Sequence, residues 1–204
     1  MSKNEDHRKM RTKEYLKTAL ISLMREKNVH NITVKDLCTQ AQINRATFYA
    51  HYIDMDDFLQ QIIEEMVWGV VQSMTDGHKD LSILLKDGQA YKCYCRLFRY
   101  LRDNAELFQL MLGENGLPKL FVLLNQQGIE LFTDLLRTVM LKFEKTVPLD
   151  VLTYHIFSAH AGLLRYYLDS NMKYSPEYMA EQMTLLSFTG PMSLLQLLDC
   201  KAAP

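Results

Sequence analysis

The chain has 204 residues, 48% of them apolar, 23% charged and 10% aromatic, with four Cys, eight Gly and five Pro. That composition excludes wholesale disorder, a collagen-like repeat and a disulfide scaffold, and no apolar run approaches the ~18 residues of a membrane span. The net charge of −1 hides a division: residues 1–53 carry ten Lys/Arg against five Asp/Glu, whereas the rest carries thirteen against nineteen, so a cationic head is expected to meet a polyanion and an anionic body is not.

Apolar residues recur at helical spacing almost throughout, which predicts an all-α fold of about nine helices. In the first, Leu16, Ala19, Leu20, Leu23 and Met24 form an i, i+3, i+4, i+7, i+8 stripe. Asn28 follows as a left-handed stop signal. Thr33-Val34-Lys35-Asp36 has the spacing of a capping box, with Ile32 and Leu37 placed as a hydrophobic staple. A third helix opens at Asn44, where Ile43 and Phe48 repeat the staple. Asp54 caps a long helix that passes Phe58, Ile62, Met66 and Trp68 to about Met74. Periodicity resumes from Gln89 to Leu101, and a short helix starts at Asn104 and stops near Gly113. Pro118 opens a helix to about Lys145, and Pro148 opens another to about Ser170. Ser175-Pro176-Glu177 is an N-cap, a first-turn proline and an acid facing the helix dipole. Gly190-Pro191 must end or kink the last helix.

Residues 33–52, TVKDLCTQAQINRATFYAHY, place two short capped helices on either side of Ala41-Gln42-Ile43, the spacing of a helix-turn-helix. Val34, Leu37, Ile43, Phe48 and Tyr52 can pack inward on the first helix. Asn44, Arg45, Ala46, Thr47, Tyr49 and His51 then lie on an outward face whose chemistry suits DNA. Arg45 can read guanine O6/N7 or hold a phosphate, and Thr47 can meet a base edge or a thymine methyl. Tyr49 and His51 can donate to phosphates. Thr33 and Lys35 add backbone contacts at a helix N-terminus, and an arm carrying Arg8, Lys9 and Arg11 can follow the duplex.

The pattern Thr33-Val-x-Asp-Leu-Cys…Ala41-x-Ile-x-Arg-x-Thr-x-Tyr49-x-x-Tyr52…Phe58-Leu59 resembles the DNA-binding head of the TetR family, over roughly residues 10–70. Tyr166-Tyr-Leu-Asp169 and Tyr174-Ser-Pro-Glu177 resemble, more loosely, the last two helices of many members. The resemblance implies an all-α dimer with a head at 1–53 and a ligand-binding and dimerisation body at 54–204. The pattern is departed from at three places. Gln42 stands where the family usually has Gly, and Met55 where it often has a phosphate-touching Lys. Gly190-Pro191 falls late in the last long helix.

In the body, Trp68, Tyr91, Phe98, Met111, Phe121, Tyr154 and Phe157 are the candidate lining of a yielding pocket for a small apolar or aromatic ligand. Ser158, Ala159 and Gly162 are small residues that permit close helix crossing, and with Leu163, Tyr166, Met183, Leu186 and Leu194 they form the candidate dimer seam. Cys93-x-Cys95 would lie about 200° apart on a helix, so the two thiols cannot share an ion. His155 and His160 likewise face different ways. No metal and no cofactor is expected. No nucleophile elbow, phosphate loop, dinucleotide fingerprint or zinc-protease motif occurs in the sequence. The reading is therefore a homodimeric repressor rather than an enzyme, binding operator DNA and released by a ligand. The charged N-terminal segment MSKNEDHRKMRTKEY lacks a signal-peptide core, so a cytoplasmic protein without a membrane partner is expected. Competing readings are an activator or co-regulator whose body binds a protein, a helical enzyme or lipid carrier with an incidental head, and a non-specific architectural DNA binder.

Overall fold

The computed structural model describes residues 3–75, 89–140 and 147–190, with the side chains of 3–9, 135 and 138–140 outside the description. Its regular elements are α1 (Lys3–Met24), α2 (Val34–Gln40), α3 (Arg45–Tyr49), α4 (Met55–Thr75), α5 (Gln89–Asp103), α6 (Ala105–Leu112), α7 (Pro118–Met140), α8 (Leu149–Asp169) and α9 (Pro176–Thr189), plus one 3-10 turn at Val29–Asn31. The fold is all-α, with nine α-helices among the described residues. The expected run of α7 to Lys145, and Pro191 and Leu194 beyond α9, lie outside the described residues.

The chain forms two compact units, one of residues 1–68 with 105–123 and the other of residues 69–104 with 124–204. The first unit is built on the α1 stripe. Leu16, Ala19, Leu20 and Met24 are buried, and onto them come Leu37 from α2, Phe48 from α3, Phe58 and Ile62 from α4, and Leu107, Phe108 and Met111 from α6. Phe48, Tyr52 and Phe58 form an aromatic cluster with ring centroids 4.9–6.0 Å apart, the edge and tilted geometries that favour such rings. At the surface, Lys13 bonds Glu65 at 2.7 Å and Arg25 bonds Glu106. Exposed pairs of this kind orient helices more than they stabilise them. The Val29 amide also donates to the Asn115 carbonyl at 3.1 Å.

Asn28 corrects the sequence expectation. Its φ is −59°, and its side chain accepts from the His30 amide as the N-cap of the 3-10 turn. The chain leaves α1 through Arg25–Lys27 instead, where the amides of Glu26 and Lys27 return to the Leu23 carbonyl.

In the second unit α5 packs on α8 and α9. Cys93, Tyr94, Leu97, Phe98 and Leu101 supply one side of the core, Tyr167 and Leu168 a second, and Met179, Ala180 and Met183 a third. Phe98 and Tyr167 meet edge-on at 5.0 Å. Arg99 donates to Glu177 in the first turn of α9 at 2.6 and 3.0 Å. Gly128 is required here, because a Cβ on it would overlap the Phe157 ring. Gly190, at φ +79°, ends α9 as its sequence position predicts.

The turn between α2 and α3 demands one strained residue. Ala41 caps α2 in the right-handed region, and Gln42 then reverses the chain with φ +54°. The Ile43 amide donates back to the Cys38 carbonyl at 3.0 Å. A side chain in the left-handed region costs roughly 1–2 kcal/mol, which glycine avoids at the expense of more unfolded-state entropy. Gln42→Gly is therefore expected to stabilise the protein by about 0.5–1 kcal/mol and raise the thermal midpoint by ~1–4 °C. A lowered midpoint in differential scanning calorimetry would contradict this.

Candidate nucleic-acid interface

The interface begins with two caps. Thr33, extended at φ −98°, accepts from the Asp36 amide at 3.2 Å, and Asp36 accepts from the Thr33 amide at 3.0 Å. Both halves of the expected capping box are present. Two further bonds were not foreseen. The Thr33 hydroxyl donates to Asp36 Oδ2 at 2.8 Å, and Lys27 Nζ donates to the same oxygen at 2.8 Å. Lys27 first, then the Thr33 amide and hydroxyl, hold the Asp36 carboxyl well below the usual carboxylate range. Thr33 thus has its proton committed inside the protein. It caps α2 first, and its own contact with a phosphate would require that proton to turn away.

Asn44 caps α3 by accepting from the Ala46 amide at 3.0 Å. Together the caps satisfy amide donors that short helices otherwise leave open. With Phe48 buried, the alternate face of α3 is forced outward. Asn44, Arg45, Ala46 and Tyr49 are exposed, while Thr47 and His51 are half-buried. Tyr49 stands edge-on to Phe48 at 5.4 Å. That contact fixes the root of its ring while 57% of the residue faces solvent. Thr33 and Lys35, at the start of α2, are exposed as well, and so is Arg11 on α1. The backbone of Arg8 and Lys9 belongs to α1, and their side chains lie outside the described residues. The exposed donors of α2 and α3 thus share a single unit, so the described part of the expected interface is contiguous in sequence and structure. Cys38, on the inner side of α2, is buried, and burial pushes its thiol up, away from reactivity.

The residues expected to line a pocket are dispersed. Trp68, Met111 and Phe121 belong to the first unit, and Tyr91, Phe98, Tyr154 and Phe157 to the second. Phe98 and Met111 are fully buried core residues, Phe157 is half-buried, and Trp68, Tyr91, Phe121 and Tyr154 are exposed. In the second unit the sequence reading also missed a buried polar node. His160 Nδ1–H donates to the Ile156 carbonyl at 2.8 Å, which leaves Nε2 to accept from Tyr94 Oη at 2.8 Å. Ser187 Oγ lies 3.0 Å from the same nitrogen and donates to the Met183 carbonyl at 2.6 Å. Burial lowers the His160 pKa and raises that of Tyr94, so both are neutral near pH 7. The expected separation of the two histidines holds: His155 is exposed and His160 buried. Cys93 and Cys95 are both buried, and Arg96 Nη2 donates to Cys93 Sγ at 3.1 Å.

Of the expected seam residues, Ser158, Ala159, Gly162 and Tyr166 are exposed on α8, Leu163 and Leu186 are half-buried, and Met183 is buried. No described helix is long and apolar enough to cross a membrane.

Residues 88–188 match a family model described as a transcriptional regulator C-terminal region. Over 185 residues the chain is 26% identical to the uncharacterized HTH-type transcriptional regulator YxbF of Bacillus subtilis (strain 168), a match covering 88% of this chain and 45% of that protein. The chain therefore spans less than half the length of that curated relative. Its fold is similar to that of the transcriptional regulator FadR from Bacillus subtilis in complex with stearoyl-CoA, with a TM-score of 0.63 and 14% identity over 87% of this chain and 98% of that one. It is also similar to the dihydroxyacetone kinase operon activator DhaS, with a TM-score of 0.57 and 19% identity over 91% and 97%.

The Asp36 bond set carries a pH dependence. The folded carboxyl titrates below the unfolded one, so its contribution is complete above the unfolded value of ~4 and is lost as pH falls toward the folded value. Acid unfolding followed by circular dichroism should show wild-type stability falling more steeply below about pH 4 than that of Asp36→Asn. Parallel curves would contradict the assignment.

Proposed function

The chain belongs to the TetR family of DNA-binding helix-turn-helix transcription regulators, and from that premise we propose that it is a homodimeric repressor which a small apolar or aromatic ligand releases from its operator. The observation that carries this reading is the exposed α3, capped by Asn44 and held out from a cationic head by the burial of Phe48. Each α3 enters the major groove of one half-site. Arg45 and Thr47 reach base edges, while Tyr49, Lys35 and the N-terminus of α2 hold phosphates. Two-fold symmetry sets the half-sites about one helical turn apart, ~34 Å or a multiple.

Dimerisation is supported by the outer face of α8. Val151, Tyr154, Ser158, Gly162 and Tyr166 recur there at helical spacing and are exposed, and Leu185 and Phe188 are exposed on α9. A Cβ added at Gly162 would meet nothing within 4 Å, so a second helix can approach its backbone closely. Exposed apolar side chains grouped in this way are a usual mark of a protein–protein contact.

Ligand release is supported by FadR, a regulator of similar fold whose structure holds stearoyl-CoA. In this chain the buried Tyr94 and His160, with Ser187 beside them on α9, offer neutral hydrogen-bonding groups. A ligand releases DNA only by preferring the head spacing that DNA does not accept. The name of DhaS, an operon activator, supports a second reading in which the same head recruits transcription. A reporter driven by the bound promoter separates the two by the sign of its response.

Two outcomes test the proposal. Tyr49→Ala is expected to weaken binding to an operator duplex by about tenfold or more in a gel shift, with helicity and dimer mass unchanged. Retained affinity would contradict the docking. Phe188→Asp is expected to shift the chain from dimer to monomer in analytical ultracentrifugation at micromolar concentration, since it sets a charge in the seam. An unchanged dimer mass would place the seam elsewhere.

A further inference from the structure

Ile53, in the corner between α3 and α4, is 81% exposed, the most exposed large apolar side chain among the described residues. Its position is fixed from both sides. On one side Tyr52 is buried against Phe48 and Phe58, with ring centroids 5.3 and 4.9 Å away, so the following residue is turned out of the core. On the other, the Ile53 amide donates to Asp57 Oδ2 at 2.8 Å, and the Asp57 amide donates to Asp54 Oδ1 at 2.8 Å. This reciprocal cap closes the first turn of α4 and holds the Asp57 carboxyl below its ordinary range. A β-branched side chain on a backbone bonded in this way has little freedom left to lose on binding.

The corner follows directly on α3 in the same compact unit, four residues after the exposed Tyr49. Its charge speaks against a phosphate partner. Asp54 and Asp56 are exposed carboxylates, Asp57 is tied into the cap, and the side chain between them, Met55, carries no charge. The part of a duplex that fits a rigid apolar knob flanked by carboxylates is its apolar part: the thymine C5-methyl and the deoxyribose carbons. We propose that Ile53 is an apolar DNA contact that packs against a thymine methyl or a deoxyribose edge beside the recognition helix. The inference rests on the DNA-binding reading above and adds a residue and a chemistry to it.

The test uses the full chain and a duplex that the wild type enriches from random-sequence DNA. Affinity is measured by fluorescence anisotropy at several salt concentrations, with that duplex and with copies in which thymines are replaced by deoxyuridine. Ile53→Ala is expected to bind about tenfold more weakly. Its thermal midpoint and the slope of log K against log salt should stay unchanged, because no counterion is released by an apolar contact. One deoxyuridine position should weaken wild type by a similar factor and leave Ile53→Ala unaffected, which assigns the contact to a methyl group. A loss in Ile53→Ala with no deoxyuridine sensitivity assigns it to the sugar. Ile53→Lys should steepen the salt slope by about one charge and lose any deoxyuridine sensitivity. Equal affinities for wild type and Ile53→Ala, or a loss accompanied by a shallower salt slope, overturns the proposal while leaving DNA binding intact. A wild-type chain that enriches no duplex overturns the DNA-binding reading, and this contact with it.

Discussion

A five-residue helix does not persist in water unaided, and α3 exists here because Phe48 is buried. That one side chain, fully buried with the Tyr52 and Phe58 rings beside it, fixes the rotation of α3 about its axis. Once its inner face is fixed, the outer face follows: Arg45, Ala46 and Tyr49 must point to solvent, and Tyr52 must return to the core. The caps at Thr33 and Asn44 then satisfy the amides that so short a segment leaves open. The head's function is thus a by-product of where its hydrophobic anchor sits.

Much of this was legible in the sequence because it is local. The capping box from Thr33 to Asp36, the Asn44 cap, the stripe from Leu16 to Met24 and the stop at Gly190 each depend on residues within one or two turns, and the structure realises them. Gln42 was legible in a different way. It stands where the resembled family usually has glycine, and the turn does give it a positive φ, +54°. What the sequence concealed is long-range or competitive. Lys27 reaches Asp36 across the 3-10 turn, and His160 finds Tyr94 from 66 positions away. Neither pairing leaves a periodic trace. Asn28 misled because asparagine serves equally as a helix stop and as an N-cap, and which role it takes depends on where the following residues go.

The candidate pocket was the least legible part. Met and aromatic residues at helical spacing serve core and cavity alike, and the division of these residues between two compact units could not be read from spacing. The small residues of the expected seam, Ser158, Ala159 and Gly162, do lie on the exposed side of α8. The buried node at His160 adds a polar element to a core that periodicity describes as purely apolar. Its neutral state follows from burial and from a backbone carbonyl that consumes its single ring proton.

The central claim is that paired copies of α3 face the major groove of one duplex. Dimethyl sulfate protection on a duplex enriched by the protein tests it most directly, because the reagent methylates guanine N7 in the major groove and adenine N3 in the minor groove. Two patches of protected guanine N7 are expected, centred about one helical turn or a multiple apart. Protection confined to adenine N3, or to a single patch, would contradict it.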